Sequence, residues 1–270
     1  MRADDDPERS ITLSYTISGF LVGLLVGFTG VGGGSLMAPI MILFLGVAPV
    51  TAVGTDLWFA GITKSIGGLI HHAGGNADLR VAKWLWLGSI PFAVLTLAIL
   101  NAAGSRQMSP GFVTQALGTV LVLTALATFF RSSLQRYGER LRVRSRKAFK
   151  RLQIPLTVIA GAILGVAVTL TSVGAGALCA TVLVFLYPVR LKLKKVVGTD
   201  IVHAVPLTLV AGVGHLWMGN VDGRLLVSLL SGSIPGIIVS SLLVHSVNDR
   251  TIRVALATVL MIVGGRLAIG

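Results

Sequence analysis

The sequence predicts an all-α, polytopic transmembrane protein built of two inverted-topology repeats, each opening with a broken or re-entrant helix hairpin. Three observations carry that expectation. Of 270 residues, 54% are hydrophobic and only 12% are charged, whereas about a quarter of an ordinary soluble domain is charged. The apolar residues fall in blocks near the roughly 20 residues that a helix needs to cross hydrocarbon. A register of identities then relates the two halves of the chain. The same composition excludes disordered, collagen-like and disulfide-stapled chains, because the one cysteine, Cys179, lies in an apolar stretch and cannot form an internal bridge.

Taken in order, a first apolar segment covers residues 11–30 and runs into Gly30-Val31-Gly32-Gly33-Gly34. A short run at 36–45 follows, and a helix of that length only half-crosses a bilayer. Segments at 50–71, 83–103 and 112–130 complete the first half, ahead of a strongly basic stretch. The pattern then restarts with a segment at 154–171, a break Ser172-Val173-Gly174-Ala175-Gly176, a short run at 177–187, and segments at 196–217, 225–245 and 251–269. The expected organisation is an extramembrane tail at 1–10, a first membrane repeat at 11–130, a basic cytoplasmic loop at 131–153 and a second, inverted repeat at 154–270. Acidic Asp4, Asp5, Asp6 and Glu8 stand where a signal peptide would carry positive charge, so the first span is expected to stay in the mature protein.

A constant offset of 144 carries Gly54-Thr55-Asp56 onto Gly198-Thr199-Asp200, His71 onto His215, Gly75-Asn76 onto Gly219-Asn220, Asp78 onto Asp222, and Gly88-Ser89-Ile90-Pro91 onto Gly232-Ser233-Ile234-Pro235. Upstream, 29–36 matches 171–178 at an offset of 142. Coincidence does not hold one register across so many polar positions. If each broken pair returns to its starting side, the three segments after it make each half cross an odd number of times. The second half is then inverted, an architecture that places transporter substrate sites near the midplane between repeats.

Charge placement sets the orientation. Nine of the 23 basic residues lie in the central stretch, opposed there only by Glu139, and basic loops mark the cytoplasmic side. Arg80, Lys83, Arg190, Lys192, Lys194, Lys195, Arg250 and Arg253 join them on that side, while Arg2, Arg9, Arg106, Arg224 and Arg266 fall on the other, so both termini are expected outside. The net charge of +13 thus reads as topology and contact with anionic lipid, not as a nucleic-acid footprint, since no nucleic-acid-binding motif accompanies it.

The chemistry-bearing candidates begin with the two breaks. Hydrocarbon tolerates non-helical backbone only where protein or a wet cavity covers it. A half-helix starting there presents unpaired N–H groups and a positive dipole end, an anion site without side-chain charge. The alternative is close helix packing, which Gly19, Gly23 and Gly27 at spacing four serve. Lys64 falls mid-segment, where an ionisable group is a functional candidate or an internally paired or snorkelling lysine; its repeat mate is Thr208. Asp56 and Asp200 are read as helix caps or as coupling carboxylates, and His203, a turn beyond Asp200, as a proton carrier or a satisfied buried histidine. His71 and His215 with their following Asn and Asp read foremost as loop-shaping caps. Because inversion sends those His/Asp pairs to opposite faces, no shared metal is expected, and no cofactor motif is present.

The paired glycine-rich breaks, the Gly-Thr motif after each short segment and the Gly-Asn-x-Asp turn that closes the next helix resemble the TauE/SafE family of sulfite exporters, also called the toluene-sulfonate uptake permease family. The resemblance covers about residues 18–267. It implies an inner-membrane carrier of sulfur-containing anions, such as sulfite or small organosulfonates, driven by an ion or proton gradient. Its glycine-rich segments fall on Gly30 to Ser35 and Gly174 to Ala177, so the expected substrate-binding set is Gly30, Gly32, Gly33, Gly34, Ser35, Gly174, Gly176, Thr55, Thr199 and Lys64. The expected coupling set is Asp56, Asp200 and His203, where Asp replaces the small polar residue that commonly follows Gly-Thr. A channel-like anion pathway is the alternative within transport; an intramembrane enzyme would need a clustered catalytic set that the sequence does not display.

Overall fold

The structure, a computed structural model, describes residues 7–29, 34–71, 77–104, 110–144, 146–243 and 249–269, and these form helices only. In chain order they are α1 (Pro7–Thr29), α2 (Gly34–Leu43), α3 (Pro49–His71), α4 (Leu79–Ala102), α5 (Pro110–Phe129), α6 (Arg131–Arg144), α7 (Arg146–Thr171), α8 (Ala177–Leu186), α9 (Leu193–Trp217), α10 (Gly223–Leu243) and α11 (Asp249–Ile269). Among the described residues five stretches, in α4, α5, α7, α9 and α10, are long and apolar enough to cross a membrane. The two half-length helices, α2 and α8, have 10 residues each, about 15 Å of rise.

The basic segment read as a loop is helical. Its 14 residues form α6, and α7 begins at Arg146, two turns before the apolar run that marked it. Arg, Leu, Gln and Glu are strong helix formers, and Gln135 adds an i,i+4 hydrogen bond to Glu139 (3.3 Å). Hydropathy located the polarity of this stretch but carries no information on its backbone.

The Gly-Asn-x-Asp turns cap the helices that follow them. Asp78 accepts from the amides of Arg80 and Val81, both at 3.2 Å, at the start of α4. Asp222 accepts from Arg224 at 2.9 Å and Leu225 at 3.0 Å at the start of α10. Each turn also docks on the other half of the chain: Thr199 Oγ1 accepts the Asp78 amide (2.9 Å) and Thr55 Oγ1 accepts the Asp222 amide (3.1 Å). Gly54 makes room for this, since a Cβ there would stand 2.2 Å from the Asn220 carbonyl. The Arg190 guanidinium completes the Asp78 end with a two-pronged contact at 2.7 and 3.0 Å.

Packing exchanges partners between the halves. The main helix pairs are α1 with α10, α4 with α7, α5 with α11 and α3 with α9. Glycines set the closest approaches. A Cβ on Gly19 would lie 2.1 Å from the Leu229 carbonyl and one on Gly23 2.3 Å from that of Ser233, while their offset mates Gly161 and Gly165 face Leu85 and Ser89 at 2.4 and 2.3 Å. Gly232 faces the Thr16 carbonyl at 1.9 Å and Gly88 the Val158 carbonyl at 2.0 Å. Lipid provides no hydrophobic drive between helices, so backbone approach through small residues is what holds these pairs. Gly27 lies where side-chain surroundings are not described.

Both half-helices are enclosed by protein. Met37 and Met41 of α2 pack with Val22 of α1, Phe59 of α3 and Leu225, Leu229 and Ile237 of α10. Cys179, Ala180, Leu183, Val184 and Leu186 of α8 pack with Val81 and Leu85 of α4, Leu164 of α7 and Val196 of α9. Leu87, Leu95 and Ile99 of α4 and Ile159 and Ile163 of α7 face outward, as a lipid-facing rim requires.

Candidate functional site

The second break brings the site together. At the end of α7 the Thr171 hydroxyl donates to the Ala167 carbonyl (2.6 Å) and accepts from the Val173 amide (3.2 Å). Ser172 (φ 59°) and Gly174 (φ 119°) then take left-handed conformations that turn the chain into α8. Inside the turn, the Cys179 amide donates to the Gly174 carbonyl (3.1 Å) and the Ala180 amide to the Gly176 carbonyl (2.8 Å). Gly176 is the N-cap and offers no side-chain cap. The first amides of α8, those of Ala177 and Leu178, are therefore left without a backbone acceptor among the described residues.

Lys64 of α3 reaches this start from the other half. Its ammonium donates to the Ala175 carbonyl inside the break and stands 3.8 Å from Asp200 Oδ2 of α9, with the lysine side chain 5% and the aspartate 0% exposed. The lysine is thus internally paired and does not snorkel. Asp56, on the same helix, is also fully buried and faces the Ser172 side chain, the Ala38 backbone and Lys64. Neither Asp56 nor Asp200 accepts a hydrogen bond of ordinary geometry on either oxygen. Both residues sit two turns inside α3 and α9, which begin at Pro49 and Leu193. The reading of these aspartates as helix caps is therefore corrected: a cap stands outside the first turn, and the caps here are Asp78 and Asp222.

His203 lies beside Asp200 on α9 and is fully buried. Its Nδ1 is 3.7 Å from Cys179 Sγ and its Nε2 3.0 Å from Ser89 Oγ, while its carbonyl accepts from Trp86 Nε1 at 3.2 Å. His215 stands apart at the end of α9, with Nε2 3.0 Å from the Thr169 carbonyl and Nδ1 3.5 Å from Asn220 Nδ2. It serves the turn, as its cap reading expects.

The structure therefore joins Lys64, Asp56, Asp200 and His203 to the Gly174–Gly176 break. The Thr55 and Thr199 hydroxyls accept the turns of the opposite half. Gly30, Gly32 and Gly33 lie outside the described residues, as does the side chain of His71, and Gly34 and Ser35 are described only as the first backbone of α2. Sequence reasoning missed Ser172, Cys179, Ser89 and Arg131. Arg131, read as one loop charge among nine, is buried at the head of α6, and its charge acts on Asp200. Ser89 had a signal in its repeated Gly-Ser-Ile-Pro motif, but the partner across the fold did not.

Comparison with known proteins finds membrane transporters. The family model described as "Sulfite exporter TauE/SafE" matches residues 15–267. The probable membrane transporter protein YjnA of Bacillus subtilis (strain 168) is 35% identical over 263 residues, covering 95% of this chain and all of that protein. The probable membrane transporter protein YdhB of the same organism is 25% identical over 221 residues, 80% of this chain and 84% of the relative. No solved structure matches significantly. With the family match running from within the first helix to within the last, and with helices long and apolar enough to cross a bilayer, the chain belongs to the TauE/SafE family of membrane transporters.

Proposed function

We propose that the protein is a secondary transporter that moves sulfur-containing anions, sulfite or small organosulfonates, through a central site between two inverted repeats. The observation that carries this reading is the meeting of the Lys64 ammonium with the uncapped start of α8. A sulfur oxyanion suits both: helix-terminal amides and a desolvated ammonium are each strong anion donors. The exchanged pairing of α1 with α10 and α4 with α7 supports the inverted arrangement, since each is the offset image of the other. The first break is proposed as the matching half of the path, with Gly30, Gly32, Gly33, Gly34 and Ser35 as its lining, and Thr55 and Thr199 as residues that frame the path.

Charge balance supports coupling. One ammonium faces two buried carboxylates, and an uncompensated charge in such a place costs several kcal/mol, about 3–5 when a buried pair is broken. Asp200 and the anion compete for Lys64. A proton or cation that neutralises Asp200 frees the ammonium for the substrate, and Asp56 and His203 are the adjacent groups that would pass it on. Uptake against the membrane potential needs such a carrier, since each charge is worth about 2.3 kcal/mol per 100 mV.

The test is flux of labelled sulfite and small sulfonates into proteoliposomes, with and without an imposed pH gradient at zero potential. Wild type should transport, and Gly176→Val should lose flux while remaining monodisperse, because a branched side chain at the N-cap holds the substrate off the α8 amides. Normal flux in that variant would reduce the break to a packing feature. Placement in the bacterial inner membrane with both termini outside, and 131–153 inside, is part of the same proposal. With Cys179 fully buried, a cysteine introduced by Ser145→Cys should resist impermeant maleimide added to intact cells, and outside labelling would reverse the topology.

A further inference from the structure

Beside the proposed anion site, Asp200 and His203 of the proposed coupling set meet a third group, Cys179, to which anion transport gives no role. Cys179 of α8 and Asp200 and His203 of α9 are all fully buried, and one ligand atom from each lies within 4.8 Å of the others. We propose that these three residues form a binding site for a zinc-like divalent transition metal, and that the bound ion holds the transporter closed. The second clause rests on the transport reading; the first does not.

Four features of the cluster fit a metal. The donor set of thiolate sulfur, imidazole nitrogen and carboxylate oxygen is one that zinc takes. The Cys179 Sγ to His203 Nδ1 separation is 3.7 Å. Zinc bond lengths and tetrahedral angles give about 3.6 Å for that edge. The imidazole is also held as metal-ligating histidines are: its other nitrogen, Nε2, is fixed by Ser89 Oγ at 3.0 Å, which leaves Nδ1 toward the sulfur. Finally, the Asp200 carboxylate is buried with no hydrogen bond of ordinary geometry on either oxygen and with Lys64 at 3.8 Å as its counter-charge, so its oxygens keep acceptor capacity for an ion.

Charge also closes. On binding, the Cys179 thiol gives its proton to water, and thiolate and carboxylate together cancel the two charges of the ion. Lys64, 3.8 Å from Asp200, then faces a neutral group. Three protein ligands leave the fourth position to water. The ion would tie α8 to α9 beside the break, and it would occupy Asp200, the carboxylate that must release Lys64 during the transport cycle.

The experiment uses the full chain, stripped with chelator in detergent, and cobalt(II) as the probe. Wild type should take up one equivalent, with the near-ultraviolet thiolate-to-cobalt charge-transfer band and the visible absorption of a tetrahedral ion, both displaced by zinc. Cys179→Ser should lose the charge-transfer band while staying monodisperse, and Ser89→Ala should keep the band with affinity weakened about 10–100-fold. In proteoliposomes, zinc should inhibit wild-type flux reversibly, with chelator restoring it, and leave Cys179→Ser flux unchanged. No band in wild type, or an undiminished band in Cys179→Ser, overturns the site. A band in wild type with flux indifferent to zinc overturns the closing role. A band in a protein that transports no sulfur anion refutes the transport reading and leaves the metal site standing.

Discussion

Lys64→Met should weaken anion transport by about 10–100-fold, the worth of one charge-assisted hydrogen bond at 1.5–3 kcal/mol. It should also destabilise the protein by about 3–5 kcal/mol, because the buried Asp200 loses its counter-charge. These two effects can be separated. In the double variant Lys64→Met/Asp200→Asn, no buried charge of the pair remains, so thermal stability should return toward wild type while flux stays lost. Stability would be read from the unfolding temperature in detergent, and flux from labelled sulfite uptake. Recovery of flux in the double variant would show that Lys64 only neutralises Asp200 and that the anion binds elsewhere.

Gly232→Ala should prevent assembly of the α1–α10 pair, and Gly88→Ala the α4–α7 pair. The added Cβ would stand 1.9 Å from the Thr16 carbonyl in the first case and 2.0 Å from the Val158 carbonyl in the second. Those atoms are backbone and cannot rotate away, so the helices must separate, and overpacking of this kind costs about 1–3 kcal/mol or more. Gly265→Ala is the control, since a Cβ there meets nothing within 4 Å; alanine in an open helical position is favoured by about 1 kcal/mol. One methyl group should thus act with opposite sign at two glycines of the same protein. Size-exclusion profiles and unfolding temperatures would show it, and equal behaviour of Gly232→Ala and Gly265→Ala would refute the close-packing account.

The offset of 144 made Gly88 and Gly232 legible as equivalents in the sequence, but not what they touch. Composition and run length determined the membrane character, the order of helices and the two half-length segments, because hydrocarbon demands local apolarity and a fixed span. The repeated Gly-Asn-x-Asp motif also located the Asp78 and Asp222 turns, where capping is a matter of two or three residues along the chain. It failed for Asp56 and Asp200. Their place after Gly-Thr suggested a helix start, whereas α3 and α9 begin two turns earlier, on Pro49 and Leu193, and this turns both carboxylates inward. The 131–153 segment, read as a loop, is helical over 131–144 and again from 146, since charge carries no information on backbone conformation.

By itself, then, the sequence determined the family, the membrane setting and the list of groups that could act on an anion. Only the tertiary structure decided which of them meet. Lys64 and Asp200 are separated by more than half the chain, and their approach to 3.8 Å depends on α3 packing against α9 and on the turn of Ser172 and Gly174 that brings the Ala175 carbonyl to the ammonium. Cys179, silent in the sequence as a lone apolar-segment cysteine, reaches His203 because α8 starts beside α9. Local order follows from the solvent that each stretch prefers. The site follows from contacts between distant stretches, and no run of neighbouring residues encodes a distance across the fold.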